Sequence, residues 1–223
     1  MGALAGALRQ GTQALHTTVE RSHYMRTLLR GQMPRAGYLL LLRNLHPLYE
    51  ALEAALQTHR NHPLLQALHD PRLARSATLT QDLEALHGTG WPAAYPVQAA
   101  TTAYVQRLQT LARETPELLV AHAYVRYLGD LSGGQQLQRI VARSLQLPDD
   151  GTGTRFYDFG EAAQAQALRT RFREGLDSAA PEAALVERIV AEAQDAFLRH
   201  QQLFEELATA AALAPDSRSV TDA

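Results

Sequence analysis

Asp130 stands among three glycines, Gly129, Gly133 and Gly134, in a stretch that otherwise reads as one long helix. Each glycine costs a helix about 1 kcal/mol against alanine. Yet apolar spacing and strong helix formers run on either side, from Glu117 to Leu128 and from Leu137 to Leu147. A helix keeps glycines in its middle when its backbone must bend, or must touch something flat and close. An acid in such a place is where chemistry is to be sought. Two further spacings set chemical groups on one helical face: His16 with Glu20, and Arg169 with Arg173, each pair one turn apart. The first can orient an imidazole and the second can offer paired cations. Taken alone, both have plainer readings, since a single histidine is more often surface or a satisfied core residue and an arginine cluster is usually a solvated face.

The elements that must position these groups are helices. Ala, Leu, Gln, Glu and Arg dominate, apolar residues recur at three- and four-residue spacing, and no stretch alternates for long in the manner of a strand. Helices are predicted over 3–23, 34–59, 71–87, 96–114, 116–147, 161–178 and 181–212, punctuated at Gly31 and Pro34, Pro71, Gly88 to Pro92, Pro116, Pro148 to Gly153 and Pro181. The expectation is a single all-α domain over 1–212, followed by a polar tail, 213–223, without fixed structure.

Composition removes several function classes. The formal charge of -2 gives no broad attraction for nucleic acid or anionic lipid. There are no cysteines, which fits a cytoplasmic protein and excludes thiolate chemistry. The densest apolar run, Tyr38 to Leu42, is far too short to span a bilayer, and no early apolar run reads as a signal peptide. All 21 basic residues are arginine, so Schiff bases, lysine general bases and lysine phosphate grips are absent.

Two families share residues with the glycine segment. Leu131-Ser132-Gly133-Gly134-Gln135-Gln136, with Arg139 and Ala142-Arg143, is similar to the signature loop of ABC-type ATPases. Such an ATPase also needs a glycine-rich loop ending in Lys-Ser/Thr, carried on strands, and this chain has neither lysine nor strand patterning. The longer stretch Leu118-Leu119-Val120-Ala121-His122-Ala123-Tyr124-Val125-Arg126-Tyr127-Leu128-Gly129-Asp130-Leu131-Ser132-Gly133-Gly134-Gln135 closely resembles the distal-helix motif of the haem oxygenase family. Ala14-Leu15-His16-Thr17 with Glu20 and Met25 looks like that family's proximal segment. Leu48 to Glu53, and Ala196-Phe197 through Gln202 to Leu207, are similar as well, so the resemblance runs from about residue 9 to 207.

The resemblance implies a kinked distal helix in which Gly129, Gly133 and Gly134 press backbone toward a haem face. It implies His16 as the proximal iron ligand, with Glu20 placed to accept its second N–H. Asp130 is then the acid that anchors a water network above the iron and delivers one proton at one remove. Arg126 and Tyr49 complete that network, and Tyr124 lines the pocket beside it. Arg9, Arg169 and Arg173 match positions that bind the haem carboxylates, although relatives often carry lysine at the first two. Met25, Phe197 and Phe204 match apolar contacts to the ring. The remaining histidines, His200 among them, have no metal-type spacing.

On this reading the chain is a haem oxygenase. Haem b is both cofactor and substrate, and O2 with electrons from an external reductant opens the ring at a meso carbon, the alpha position. The products are biliverdin, carbon monoxide and ferrous iron. No flavin or iron–sulfur site is legible, so a ferredoxin or flavodoxin type of partner is implied, acting on a monomer free of membrane and nucleic acid. A haem carrier or sensor on the same fold needs His16 and the apolar contacts but leaves Asp130 and its glycines without a use. A helical scaffold binds no haem and leaves the glycine cluster unexplained.

Overall fold

Every residue of the apolar run Tyr38–Leu42 is buried, because it lies in the first turns of a 24-residue helix that has neighbours on several sides. The computed structural model describes residues 4–212, and the tail expected over 213–223 lies outside the described residues. The helices are α1 (Leu4–Glu20), α2 (His23–Leu29), α3 (Arg35–Thr58), α4 (Ser76–His87), α5 (Trp91–Ala94), α6 (Ala99–Glu114), α7 (Leu119–Ala123), α8 (Gly129–Ser144), α9 (Ala162–Ser178) and α10 (Ala183–Ala210). Among the described residues there is no strand, and the expected all-α class holds. No helix among them is long and apolar enough to cross a membrane.

Helix α3 packs on α4 and α6, while α10 runs along α1 and also meets α2, α6 and α7. Between these layers sit the largest fully buried side chains, Tyr24, Tyr38, Tyr49, Tyr104 and Phe156. Buried tyrosines need partners for their hydroxyls. Tyr24 donates to the Gly37 carbonyl at 2.8 Å and Tyr38 to the Gly153 carbonyl at 3.1 Å, so each ties one element to the next.

Three of the departures from the sequence expectation have a plain local reason. The first helix stops at Glu20, because Ser22 caps a separate helix, α2, accepting the Met25 N–H at 3.3 Å. The helix expected from residue 71 begins at Ser76, since Pro71–Leu73 forms a 3-10 turn capped by the Asp70 side chain. The long helix expected over 116–147 is composite: a 3-10 turn at Pro116–Leu118, then α7, then a π-helical turn at Tyr124–Leu128, then α8. A π turn lodges an extra residue in the helix and alters its course. The irregularity therefore falls directly ahead of Gly129, and the three glycines lie within regular α-helix.

Candidate active site

Helix α1 and the Gly129 end of α8 line one cleft of about 320 Å³, together with α2 and α10. An adjoining part shares His16, Gly129 and Phe197, and the exposed side chains of Arg9 and Arg173 edge it.

On the α1 side, the His16 side chain is 51% exposed and turns to the cleft. Its Nδ1 lies 3.5 Å from Glu20 Oε2, and its ring meets Phe197 edge-on at 5.9 Å. With the carboxylate on the Nδ1 side, Nε2 is the nitrogen available to a metal. The four-residue spacing seen in the sequence is what brings the two side chains together.

On the α8 side, Gly129 and Gly133 line the cleft, and a Cβ built on either meets nothing within 4 Å. Backbone forms this wall, which suits a flat ligand at close range. Gly134 has another task. Its Cβ would stand 3.3 Å from the Tyr157 carbonyl, so the helix packs here against the turn Arg155–Tyr157. That turn is fastened from behind. The buried Asp82 carboxylate accepts the N–H groups of Arg155 at 2.9 Å and Phe156 at 2.8 Å, and burial pushes its pKa up to about 6. The Arg75 guanidinium donates to the Asp158 carbonyl at 2.6 Å. Phe156 and Tyr157 thereby become part of the cleft lining.

Behind the glycine wall lies a buried polar network. Arg126, on the π turn, donates through Nη2 to Asp130 Oδ1 at 3.0 Å and through Nε to the Tyr49 hydroxyl at 3.0 Å. Tyr49, from α3, in turn donates a short hydrogen bond to Asp130 Oδ2. Burial raises the Asp130 carboxyl above the ordinary carboxylate range, although Arg126 and Tyr49 pull the other way. Burial likewise raises the Tyr49 phenol and keeps it protonated. Burial alone would lower the Arg126 guanidinium, but Asp130 and Tyr49 more than offset it and hold it above its usual range. The result is an acid with an enhanced hold on its proton, fixed in place from two helices and a π turn, at the edge of an open cleft.

Of the residues singled out in the sequence, His16, Glu20, Met25, Arg126, Gly129, Asp130, Gly133, Phe197 and Phe204 line the main cleft, and Arg9, Tyr124 and Arg173 its adjoining part. Tyr49 stands behind Asp130, fully buried. Arg169 is not in either lining, and its buried Nε has no hydrogen-bond partner. Arg171 turns away toward Asp70, at 3.7 Å. Sequence reasoning passed over His200, which lines the cleft and contacts Arg126. A signal existed: His200 is three residues after Phe197 and four before Phe204, on the face of α10 that those two mark. His122, by contrast, is a fully buried structural residue, held by Tyr104 at 3.0 Å and Glu192 at 2.9 Å.

The comparisons with known proteins agree on one family. The heme oxygenase family profile matches residues 2–206. Heme oxygenase 1 of Homo sapiens is 40% identical over 205 residues, which cover 92% of this chain and 71% of that protein. Heme oxygenase 1 of Synechocystis sp. is 38% identical over 204 residues, covering 92% and 84%. Among solved structures, heme oxygenase-2 of Synechocystis sp. in complex with heme and NO superposes with a TM-score of 0.90 at 39% identity, over 96% of this chain and 89% of that one.

Proposed function

The chain belongs to the haem oxygenase family, and from that premise we propose that it binds haem b in the cleft between α1 and α8 and opens the ring at a meso carbon, the alpha position. O2 and electrons from an external reductant are consumed, and biliverdin, carbon monoxide and ferrous iron are released. The residues present fit the group. A wall of glycine backbone faces a histidine across open space, and cations edge the adjoining part of the cleft.

When bound, the haem supplies the redox chemistry, using O2 and delivered electrons against its own ring. Everything else falls to the chain. His16 offers Nε2 to the iron, and Glu20 accepts the Nδ1 proton to hold the ring plane. Arg9 and Arg173 would pair with the two carboxylates, with Arg169 adding charge from one turn away. Met25, Phe197 and Phe204 give apolar contact. Gly129 and Gly133 would let the α8 backbone approach the haem closely. Asp130, whose burial strengthens its hold on a proton, would relay one through water toward the face turned to α8, while Tyr49 and Arg126 hold the carboxyl in place. A ferredoxin- or flavodoxin-type protein in the cytoplasm delivers electrons to the monomer.

The observation that carries the reading is the buried Asp130–Tyr49–Arg126 network at the edge of the cleft that His16 enters. A carrier or sensor needs the histidine but has no use for an acid with a raised pKa beside its ligand. The test is an absorption time course on protein loaded with one equivalent of haemin, after adding a reductant in air with catalase present. Loss of the Soret band, with a long-wavelength biliverdin band once iron is chelated, supports the oxygenase. A haem spectrum that survives repeated reduction selects the carrier or sensor, and no haem spectrum overturns both.

A further inference from the structure

His200 sits on α10 with 2% of its surface exposed, among the rings of Tyr104 at 5.1 Å and Phe204 at 6.2 Å. Its two nitrogens have unlike partners. Nδ1 is 2.8 Å from the Ala196 carbonyl, which can only accept, so Nδ1 must carry the hydrogen. Nε2 is 2.9 Å from Arg126 Nη1, which can only donate, so Nε2 must present its lone pair. Both contacts require the same neutral tautomer. An imidazolium would set N–H against N–H and cation against cation.

Arg126 thus meets three acceptors from three directions. Nε serves Tyr49 of α3, Nη2 serves Asp130 of α8, and Nη1 serves His200 of α10. A guanidinium is a rigid planar fork, so three acceptors fix its plane where two leave it free to tilt. Removing the third leaves a buried donor unsatisfied and loosens the other two.

Resting on the proposed reading of the cleft, we propose that His200 is a positioning residue, locked as the neutral Nδ1–H tautomer, whose Nε2 clamps Arg126 and thereby sets the hydrogen bonding, and so the proton affinity, of Asp130. Its role is proton control and not the holding of haem. Burial and the neighbouring Arg126 charge push the imidazole pKa down to about 3, which keeps the acceptor form present at every physiological pH.

The first test needs no haem. Nitrogen-15 NMR on the full-length protein, labelled in histidine and arginine, is expected to show His200 with Nδ1 protonated and Nε2 bare, and an Arg126 Nη proton in slow exchange. A protonated Nε2, or freely exchanging Arg126 Nη protons, overturns the proposal even if no variant folds. The second test compares His200→Leu with His200→Gln, whose amide oxygen can still accept from Arg126. In the haem-loaded protein, His200→Leu is expected to lower biliverdin formation roughly tenfold, the scale of losing a partner that orients a functional group. It should also shift the pH midpoint of the ferric haem's alkaline spectral transition while haem affinity stays unchanged, and His200→Gln should restore both. Loss of haem affinity in step with activity, or an unmoved midpoint, overturns it. Wild-type protein with the expected tautomer and no haem binding overturns the reading of the cleft instead, and with it this use of the clamp.

Discussion

The two sides of the cleft are built on opposite plans. On the α1 side, His16 and Glu20 are 51% and 56% exposed and hold each other at 3.5 Å with little else around them. On the α8 side, Arg126 and Asp130 are 14% and 8% exposed, and every group in their network has two or three partners from different helices. The α1 side is left for a ligand to complete, since a lone exposed side-chain contact holds geometry weakly. The α8 side is organised in advance, which is what the proposed proton delivery requires, since a group that presents one proton at one place cannot wait for the substrate to arrange it. Binding can tolerate adjustment. Proton delivery cannot.

The contrast is broken most severely by removing the distal cation. Arg126→Leu is expected to cost about 3 kcal/mol of folding stability near pH 8, because a buried carboxylate loses its counter-charge. The loss should shrink toward pH 5, where the orphaned Asp130 takes up a proton, and chemical denaturation at the two pH values measures the difference. On the open side, His16→Ala should leave folding intact but weaken haem binding by on the order of a hundredfold, the upper end of what perturbing a metal ligand's shell costs. Haem titration followed at the Soret band checks this, and added imidazole should restore a six-coordinate spectrum.

A finer test uses protons. His200 faces Arg126 from the π turn and Tyr104 from α6, with Asp130 of α8, Tyr49 of α3, His122 of α7 and Glu192 of α10 nearby in the same buried layer. Its folded pKa of about 3 lies below the ordinary histidine value. Between the two values the unfolded chain binds the extra proton, so this contribution is complete above about pH 6.5 and declines as pH falls. Asp82 and Asp130 have raised pKa values and act in the opposite sense, which flattens the curve of the whole protein. The clean quantity is the stability difference between wild type and His200→Leu. It should shrink by about 1.4 kcal/mol per pH unit from pH 6.5 toward pH 5, measured by urea denaturation.

The smallest effect separates two glycines that look alike in the sequence. Gly133→Ala puts a methyl group into open cleft, so it should stabilise the haem-free protein by about 0.5–1 kcal/mol through helix propensity while weakening haem binding. Gly134→Ala places its methyl 3.3 Å from the Tyr157 carbonyl, and should lower the melting temperature. Thermal denaturation of the two variants decides it.

What the sequence made legible was whatever depends on near neighbours. Helical periodicity marked the α1, α3, α6 and α10 segments, and the four-residue spacing of His16 and Glu20 brought those side chains together in space. The glycines stood out in the sequence, but their tasks were not separable: Gly133 faces the cleft and Gly134 faces a turn fastened by Asp82 and Arg75 from more than 70 residues away. The π turn before Gly129 has no composition signature of its own. Arg169 matched a familiar position yet stands outside the lining, because the face of a helix that meets a cleft depends on how the whole helix packs. His200 was missed for the same reason. Its partner lies 74 residues earlier on the π turn, and only the packing of α10 brings the two together.

In the proposed division of labour, the Asp130 network governs the outcome while the His16 side governs binding. It is tested most directly by the biliverdin formed per haem consumed in a single turnover of Asp130→Asn. The expected result is haem bound as in wild type, with the rate of biliverdin formation falling by about 10²–10⁴, the range attributed to a positioned acid. Wild-type yield and rate from Asp130→Asn would show that this carboxyl does not govern turnover.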